Sequence, residues 1–407
     1  MNSNRLLISA YLSNALEFFE YTLFGALSLA IQQTFLSNVS WINPYSLTLF
    51  AFCISLLVRP IGSYIFGYIG DKVSRILSLQ LSIACMTLAS LTMALLPGTE
   101  IIGETAVWII LFSRILQGIS AGGEYNGAAI LAIESYTHKQ WTISGYLTSS
   151  ALMGLVLACI AAMILSIEGL PAYAWRIAFG FSALLGVSAF LLRRISTPAP
   201  PQLQKPPSFS STHHKWLVFF AIFFIGGQTS SLSYFYFVSL KGALSSLSQF
   251  QNINVPIVIT SMLLLASLSC IPFAKIAQNL NSTLIMRLGT LSIILLTPLC
   301  LYLLRLPSLF ISIPVLTVLA LILALHGSTQ HVIFQRLVPK HLRQRMISIA
   351  FSCGTGILSS IVIWSTSGLD LATPGISILL FSLISIGSLT FITLLENRYG
   401  LPYQTEQ

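Results

Sequence analysis

Residues 193–215 read RRISTPAPPQLQKPPSFSSTHHK, and this stretch divides the chain. Pro198, Pro200, Pro201, Pro206 and Pro207 remove backbone donors and fix φ, so the stretch reads as an extended, proline-stiffened connector. Arg193, Arg194 and Lys215 lie at its ends and Lys205 within it. Outward from it, each side of the chain holds six apolar runs. The first set falls near residues 6–36, 44–69, 76–97, 105–134, 142–166 and 174–194. The second falls near 216–240, 253–275, 283–304, 309–334, 346–366 and 374–396. Each approaches the ~20 apolar residues that carry a helix across a bilayer. The expected architecture is therefore an all-α integral membrane protein. It has twelve transmembrane helices in two pseudo-symmetric six-helix bundles, residues 1–194 and 216–407, joined by a cytoplasmic linker at 195–215. Six spans, a linker and six spans is the pattern of a duplicated transporter.

Composition supports this reading. Of 407 residues, 55% are hydrophobic and only 8% charged, whereas soluble domains carry about 25% charged residues. That excludes a cytosolic enzyme with a hydrophilic exterior, a disordered chain and a secreted disulfide scaffold. The runs are too long and too uniform for an outer-membrane barrel, whose strands alternate over ~10 residues. The net charge of +9 is dispersed between apolar runs and forms no basic patch, so no nucleic-acid partner is expected. All six cysteines sit inside apolar runs without a CxxC pair and read as packing residues. The first run is interrupted by Asn14, Glu17 and Glu20 and is too long for a cleaved signal, so it reads as the first span.

Basic residues set the orientation. Of the 20 Lys and Arg, only Arg176, Lys241 and Arg305 fall on the odd-numbered connections, and Arg59 and Arg114 lie within spans. The other fifteen fall on the even-numbered connections and the two ends of the chain. Both termini are therefore expected in the cytoplasm of a multi-pass protein of a cell membrane, a bacterial inner membrane, and as a monomer.

Ionisable residues within spans are costly, about 2.5–3.5 kcal/mol each on insertion scales, and are functional candidates by default. Here they are Glu17 and Glu20 in span 1, Arg59 in span 2, and Arg114 and Glu124 in span 4, all in the first half. Asn14, Glu17 and Glu20 follow at i, i+3, i+6, and Arg114 and Gln117 repeat the spacing on span 4. Mutually neutralised pairs that glue helices together are the plainer account, although small residues would pack helices more cheaply. A carboxylate beside an arginine can instead exchange its proton when a substrate competes for the arginine. Glu20, Glu17 and Glu124 are thus candidates for proton coupling, with Glu20 favoured. If Glu17 and Glu20 face one cavity, both cannot ionise cheaply. Arg59 and Arg114 are candidates for capturing a substrate carboxylate, with Asn14, Gln117 and Tyr21 beside them. Gly118, Gly122, Gly123 and Gly127 on span 4 read as a close helix approach.

The second half is polar but largely uncharged within its spans. Gln228 in span 7 and His326 and Gln330 in span 10 are candidate substrate contacts, although a lone histidine here is more often a packing group. His326 and His331 are five apart, a poor spacing for a metal on one helix. No metal or cofactor is expected.

Between spans 2 and 3 the chain reads Gly67-Tyr68-Ile69-Gly70-Asp71-Lys72-Val73-Ser74-Arg75. This resembles the signature loop of the major facilitator superfamily: glycine, three residues, Asp, a base, any residue, glycine, a base. In such a loop the Asp can accept from a neighbouring helix N-terminus while the bases pair with a carboxylate, forming a latch between halves. Gly67, Asp71, Lys72, Arg75 and Glu134 are the gating candidates. Ser74 stands where the family has glycine, and Ile76 where it has a further base. The matching place in the second half, Ala277-Gln278-Asn279-Leu280-Asn281-Ser282, lacks the charges.

Asn14-Ala15-Leu16-Glu17-Phe18-Phe19-Glu20-Tyr21 is similar to the first-span motif of the superfamily's metabolite:proton symporter branch. Arg59-Pro60, Arg114-Ile115-Leu116-Gln117-Gly118 and Gly122-Gly123-Glu124-Tyr125 resemble its second and fourth spans. The likeness is specific over residues 14–134; beyond residue 140 it rests on hydropathy and the basic loop from Pro339 to Arg345. Arg336 stands where the family tends to have an acid. The resemblance implies two six-helix bundles that rock about a central cavity, and no enzyme activity. It also implies cotransport of a small organic acid or zwitterion with protons, as in proline/betaine, dicarboxylate, citrate, shikimate and α-ketoglutarate carriers. The alternatives are export of a metabolite or amphipathic compound by proton antiport, or a receptor or scaffold that kept the fold.

Overall fold

The structure, a computed structural model, describes residues 3–36, 43–136, 138–167, 170–171, 173–195, 212–280, 282–366 and 375–399. The connector at 196–211 lies outside the described residues. Twelve long helical segments are described, with no strand among them. In the first half they are α1 (Ser3–Ala26), α2 (Pro44–Lys72), α3 (Arg75–Leu95), α4 (Thr105–Ser135), α5 (Gln140–Leu165) and α6 (Ala174–Ile195). In the second they are α7 (Lys215–Ser245), α8 (Val255–Asn279), α9 (Ser282–Leu303), α10 (Leu309–Leu337), α11 (Arg343–Thr366) and α12 (Gly375–Tyr399). Eleven have the length and apolarity to cross a membrane on those criteria alone. The twelfth, α1, is 24 residues long but is diluted by Arg5, Asn14, Glu17 and Glu20.

Local sequence explains where these helices start and break. Asn43 caps α2 by accepting from the Tyr45 amide, with Pro44 in the first turn, where a missing N–H costs nothing. Asn254 caps α8 in the same way, accepting from the Ile257 amide. Within α2 the helical ladder is broken at Val58, two residues before Pro60, which can neither donate to Leu56 nor avoid its carbonyl. Arg59 sits at that break. The expected first span, 6–36, is shorter as a regular helix: it ends at Ala26, and a four-residue helix and a π segment, Gln32–Leu36, follow. A second π segment, Phe235–Leu240, interrupts α7 directly after Tyr234. π segments are often found at functional sites.

The packing pattern repeats when six is added to each helix number. In the first half α1 packs on α5, α3 on α6, and α2 on α4; in the second, α7 packs on α11, α9 on α12, and α8 on α10. The halves meet along two equivalent seams, α2 with α11 and α5 with α8. These are the two pseudo-symmetric bundles expected from the sequence. The glycines of α4 are a close approach: a Cβ at Gly118 would lie 2.1 Å from the Ser55 carbonyl oxygen, and one at Gly122 2.1 Å from that of Arg59. They bring α4 against the backbone of α2 on either side of Arg59. Leu88, Phe112, Leu184, Leu295 and Ile313 are exposed on outer faces while Arg, Glu, Gln and His are buried within, the reverse of a soluble protein.

Candidate functional site

Arg59, released from the regular ladder at the α2 break, is buried at the junction of the halves. Its guanidinium lies 4.5 Å from the ring centroid of Tyr21 on α1, and Tyr21 neighbours Tyr234 of α7, centroids 5.9 Å apart. Phe52 closes the group, edge-on to both tyrosines at 5.1 and 5.8 Å. The Tyr21 hydroxyl donates to the Phe52 carbonyl and accepts from Ser55, which fixes the ring under the guanidinium. Glu17 lies within electrostatic reach of Arg59. The Tyr234 hydroxyl lies beside the guanidinium, yet among the described residues Nε and Nη2 of Arg59 complete no hydrogen bond. Two donors of a buried cation are therefore free to take an anion at the half-to-half interface.

Glu20 is deeper in the first bundle. Its carboxylate accepts from Ser90 on α3, from Ser182 on α6 at 2.5 Å and from Gln117 on α4 at 3.4 Å. Arg114 stands near it without forming an ion pair: its guanidinium stacks on Phe24, 4.1 Å from the centroid. Among the described residues, none of the three Arg114 side-chain nitrogens has a hydrogen-bond partner, nor has either side-chain polar atom of the fully buried Asn14. A buried guanidinium held only by a ring face is poised for a second arrangement, because unpaired buried charge is expensive.

The expectation that Glu17 and Glu20 share a cavity is corrected here. Glu17 lines a small void between α1, α3, α4 and α6 together with Glu124, Ser13 and Ser120, and Glu20 is not part of its wall. Three residues advance about 300° around a helix, so i and i+3 diverge by roughly a sixth of a turn, and the two serines draw Glu20 the other way. Glu124 accepts from Ser82 at 2.7 Å.

Between the halves lies a central cavity lined by Phe18, Tyr125, Thr148, Thr229, Ser230, Ser233, Tyr234, Gln330 and Phe351. About 20 Å³ of it is open to water centres, room for roughly one or two waters. Gln330 accepts from Thr229 and donates to the Tyr125 hydroxyl, which also bonds His331 at 2.9 Å. Gln330 thus lines the cavity. Gln228 and His326 do not: Gln228 donates to Ser385 on α12, and His326 packs between α7 and α9 against the Ile225 carbonyl and Thr290. Both are held inside the second bundle by polar partners that no helical pattern reveals. Tyr125, Tyr234, Phe18 and Phe351 escaped the sequence reading because aromatic residues recur along nearly every span.

At one end of the bundles the signature loop grips the second half. Asp71 accepts from the backbone amides of Gln344 at 3.2 Å and Arg345 at 2.9 Å, so it caps α11 from across the interface. Gly67 allows this: a Cβ there would lie 2.7 Å from the Arg345 Cα. Arg75 pairs with Glu134, which also receives Arg343 of the second half at 2.8 Å. Arg75 reaches the Lys340 carbonyl as well. The carboxylate of the latch thus belongs to the first half, and Arg343 supplies the cross-interface charge. Lys72 is exposed and joins no ion pair among the described residues. Ser74, in place of the family's glycine, caps α3 by accepting from the Leu77 amide.

Asp71→Asn keeps an acceptor but removes the charge facing the α11 N-terminus, worth up to about 2 kcal/mol. The expected result is a shift towards the form open at this end by roughly five- to thirty-fold, with folding retained. Accessibility of a cysteine placed at Gln344 measures it; unchanged labelling and a normal transport rate would reduce the loop to a tight connection.

The family model described as Major Facilitator Superfamily matches residues 10–363. A "Putative proline/betaine transporter" of Staphylococcus aureus is 25% identical over 375 residues, covering 87% of this chain and 79% of the relative. One of the same name from Staphylococcus haemolyticus is 26% identical, covering 94% and 85%. The "Glycine betaine/proline/ectoine/pipecolic acid transporter OusA" of Dickeya dadantii is 29% identical over 201 residues, covering 48% of this chain and 40% of the relative. Among solved structures, the proton:xylose symporter XylE bound to 6-bromo-6-deoxy-D-glucose superposes with a TM-score of 0.77 at 13% identity, covering 97% of this chain and 95% of the other. The human organic anion transporter MFSD10 gives 0.65 at 14% identity, covering 97% and 100%. At these identities the structures show the fold.

Proposed function

The chain belongs to the major facilitator superfamily, and from that premise we propose proton-coupled uptake of a small carboxylate-bearing or zwitterionic metabolite by alternating access. It is a multi-pass secondary transporter and not an enzyme. The observation that carries the finer reading is the pair of unpartnered donors on Arg59, buried where the two halves meet. A substrate carboxylate is the natural partner for that guanidinium, and the relatives' names supply molecules with one. Glu20 and Arg114 form the proton-coupling pair. Protonated, Glu20 rests on its serines while Arg114 stacks on Phe24; deprotonated, it draws Arg114 off the ring. Because α1 and α4 also carry Tyr21 and Tyr125, that exchange is felt at the interface with the second half. Glu17 and Glu124 organise the helix packing behind it.

Uptake of labelled glycine betaine, proline and succinate into proteoliposomes, with and without an acid-outside gradient, tests the reading. Accumulation of one of them above equilibrium, abolished by a protonophore, is expected. Gradient-independent equilibration would remove the coupling, and gradient-driven extrusion would favour an exporter. In this reading the latch end faces the cytoplasm of a bacterial cell, which the basic residues Lys72, Lys139, Lys340 and Arg343 at that end support. In the intact cell a cysteine at Glu100 is labelled by an impermeant reagent and one at Lys72 is not.

A further inference from the structure

One side chain of the second half enters the body of the first. Gln344, in the first turn of α11, is fully buried, although Arg343 and Arg345 on either side of it are partly exposed. Its amide lies between Gly70 of α2 and Gly127 of α4. A Cβ at Gly70 would stand 2.1 Å from Gln344 Oε1, and one at Gly127 2.9 Å from Nε2. Nε2 donates to the Ser78 hydroxyl on α3 at 3.1 Å, and Ser78 donates in turn to the Phe66 carbonyl of α2 at 2.6 Å. Three helices of the first bundle thus form a socket around one side chain of the second. Oε1 has no hydrogen-bond partner among the described residues. Asp71 holds the backbone amide of Gln344 and not its side chain, so latch and socket are separate contacts.

We infer that Gln344 is a bolt, a positioning residue whose amide must leave the Gly70–Gly127 socket before the halves can part at the loop end. This rests on the alternating-access reading proposed above. Ser348 and Phe351 follow Gln344 at i+4 and i+7 on one face of α11, and Phe351 lines the central cavity. The bolt therefore stands between that cavity and the loop end. An amide suits a part that must seat and withdraw. Seated, it gains the bond to Ser78 but leaves one acceptor unpaired; withdrawn, both of its ends are hydrated. The seated form is thus held without being locked, whereas an apolar side chain would have to expose its surface to water at every opening. Only glycine leaves room on both walls, since a methyl group from either would occupy the place of the amide. Being neutral and buried, the bolt holds where salt screens the charges of the latch.

The test uses the full-length chain in nanodiscs, which expose both of its faces, with Ser348→Cys as reporter. The Ser348 hydroxyl is buried and has no hydrogen-bond partner among the described residues, so a thiol is tolerated there. Maleimide labelling at that position, read by peptide mass spectrometry, reports opening between bolt and cavity. Gln344→Ala empties the socket. Gly70→Ala fills it from the α2 wall, keeps the backbone bonds to Asp71 and favours the helix locally. Each is expected to raise the labelling rate roughly fivefold, the worth of one hydrogen bond, and the rise is expected to persist at high salt. The double variant should label no faster than Gln344→Ala alone, because the new methyl group then meets no amide; independent effects would multiply to about twenty-five-fold. Multiplied effects overturn the bolt and make Gly70 a packing residue. Unchanged labelling in both single variants, with a rise in Asp71→Asn, overturns it and leaves the latch and the alternating-access reading standing. No labelling in any variant removes both readings. The two single substitutions reach the amide from opposite sides, so misfolding of one leaves the other to decide.

Discussion

Glu20→Gln is expected to abolish accumulation driven by a pH gradient while leaving exchange of substrate across the membrane measurable. Glutamine keeps the shape of the side chain; its amide can accept from one of Ser90 and Ser182 and donate to the hydroxyl of the other. It cannot carry the proton or draw Arg114 from Phe24. A merely structural Glu20 would give the opposite result, because an amide in its place preserves the contacts and the gradient response. The measurement is the ratio of internal to external substrate at equilibrium under a fixed gradient. A ratio above one in the variant moves the coupling site elsewhere, with Glu124 and Glu17 next.

Arg59→Lys is expected to weaken substrate binding severely although the charge is kept. Lysine cannot form two parallel bonds to a carboxylate, and its ammonium is more strongly hydrated. Losing one charge-assisted hydrogen bond costs about 1.5–3 kcal/mol, roughly 10- to 150-fold in Kd. Arg114→Lys should act differently: it stands beside Glu20, away from the central cavity, so its main effect falls on coupling and only weakly on affinity. Direct binding measurements on both variants separate the two roles. Equal affinities for the two lysine variants would make both arginines structural.

Much of the fold could be read from hydropathy because a bilayer admits few solutions: every backbone group must be paired internally, so each apolar run is a helix. The twelve runs fall within a few residues of the observed helices, except where α1 gives way to a π segment, a change that no apolar pattern encodes. The charged members of the site could be read because burying them in a membrane needs a reason. Arg59, Arg114 and Glu20 stand out on that ground, and all three are buried. Their partners do not, since Ser90 and Ser182 come from α3 and α6, far along the chain, and serine is common in every span. Gln228 and His326 show the reverse failure: polar residues at mid-span draw attention, but each is held by partners within its own bundle. The aromatic lining of the central cavity was invisible because only the meeting of α1, α4, α7 and α11 turns scattered rings into a wall.

The two seams are not equivalent in what holds them. Along α2 and α11 the loop end is fastened by Asp71 on two amides and by Glu134 between Arg75 and Arg343. At the matching place along α5 and α8 the contacts are neutral: Thr142 donates to Gln278 at 3.4 Å, Gly145 sits against Ala274, and Ser149 meets Ser267 at 3.0 Å. Ionic strength therefore works chiefly on the first seam; at the second, the charge described across the halves is Arg336 resting on the Trp141 ring. Counter-ions near this end compete for the charged fastening and leave the neutral contact in place. The molecule then behaves as a door with its lock on one jamb and its hinge on the other, and salt on that side acts as a key.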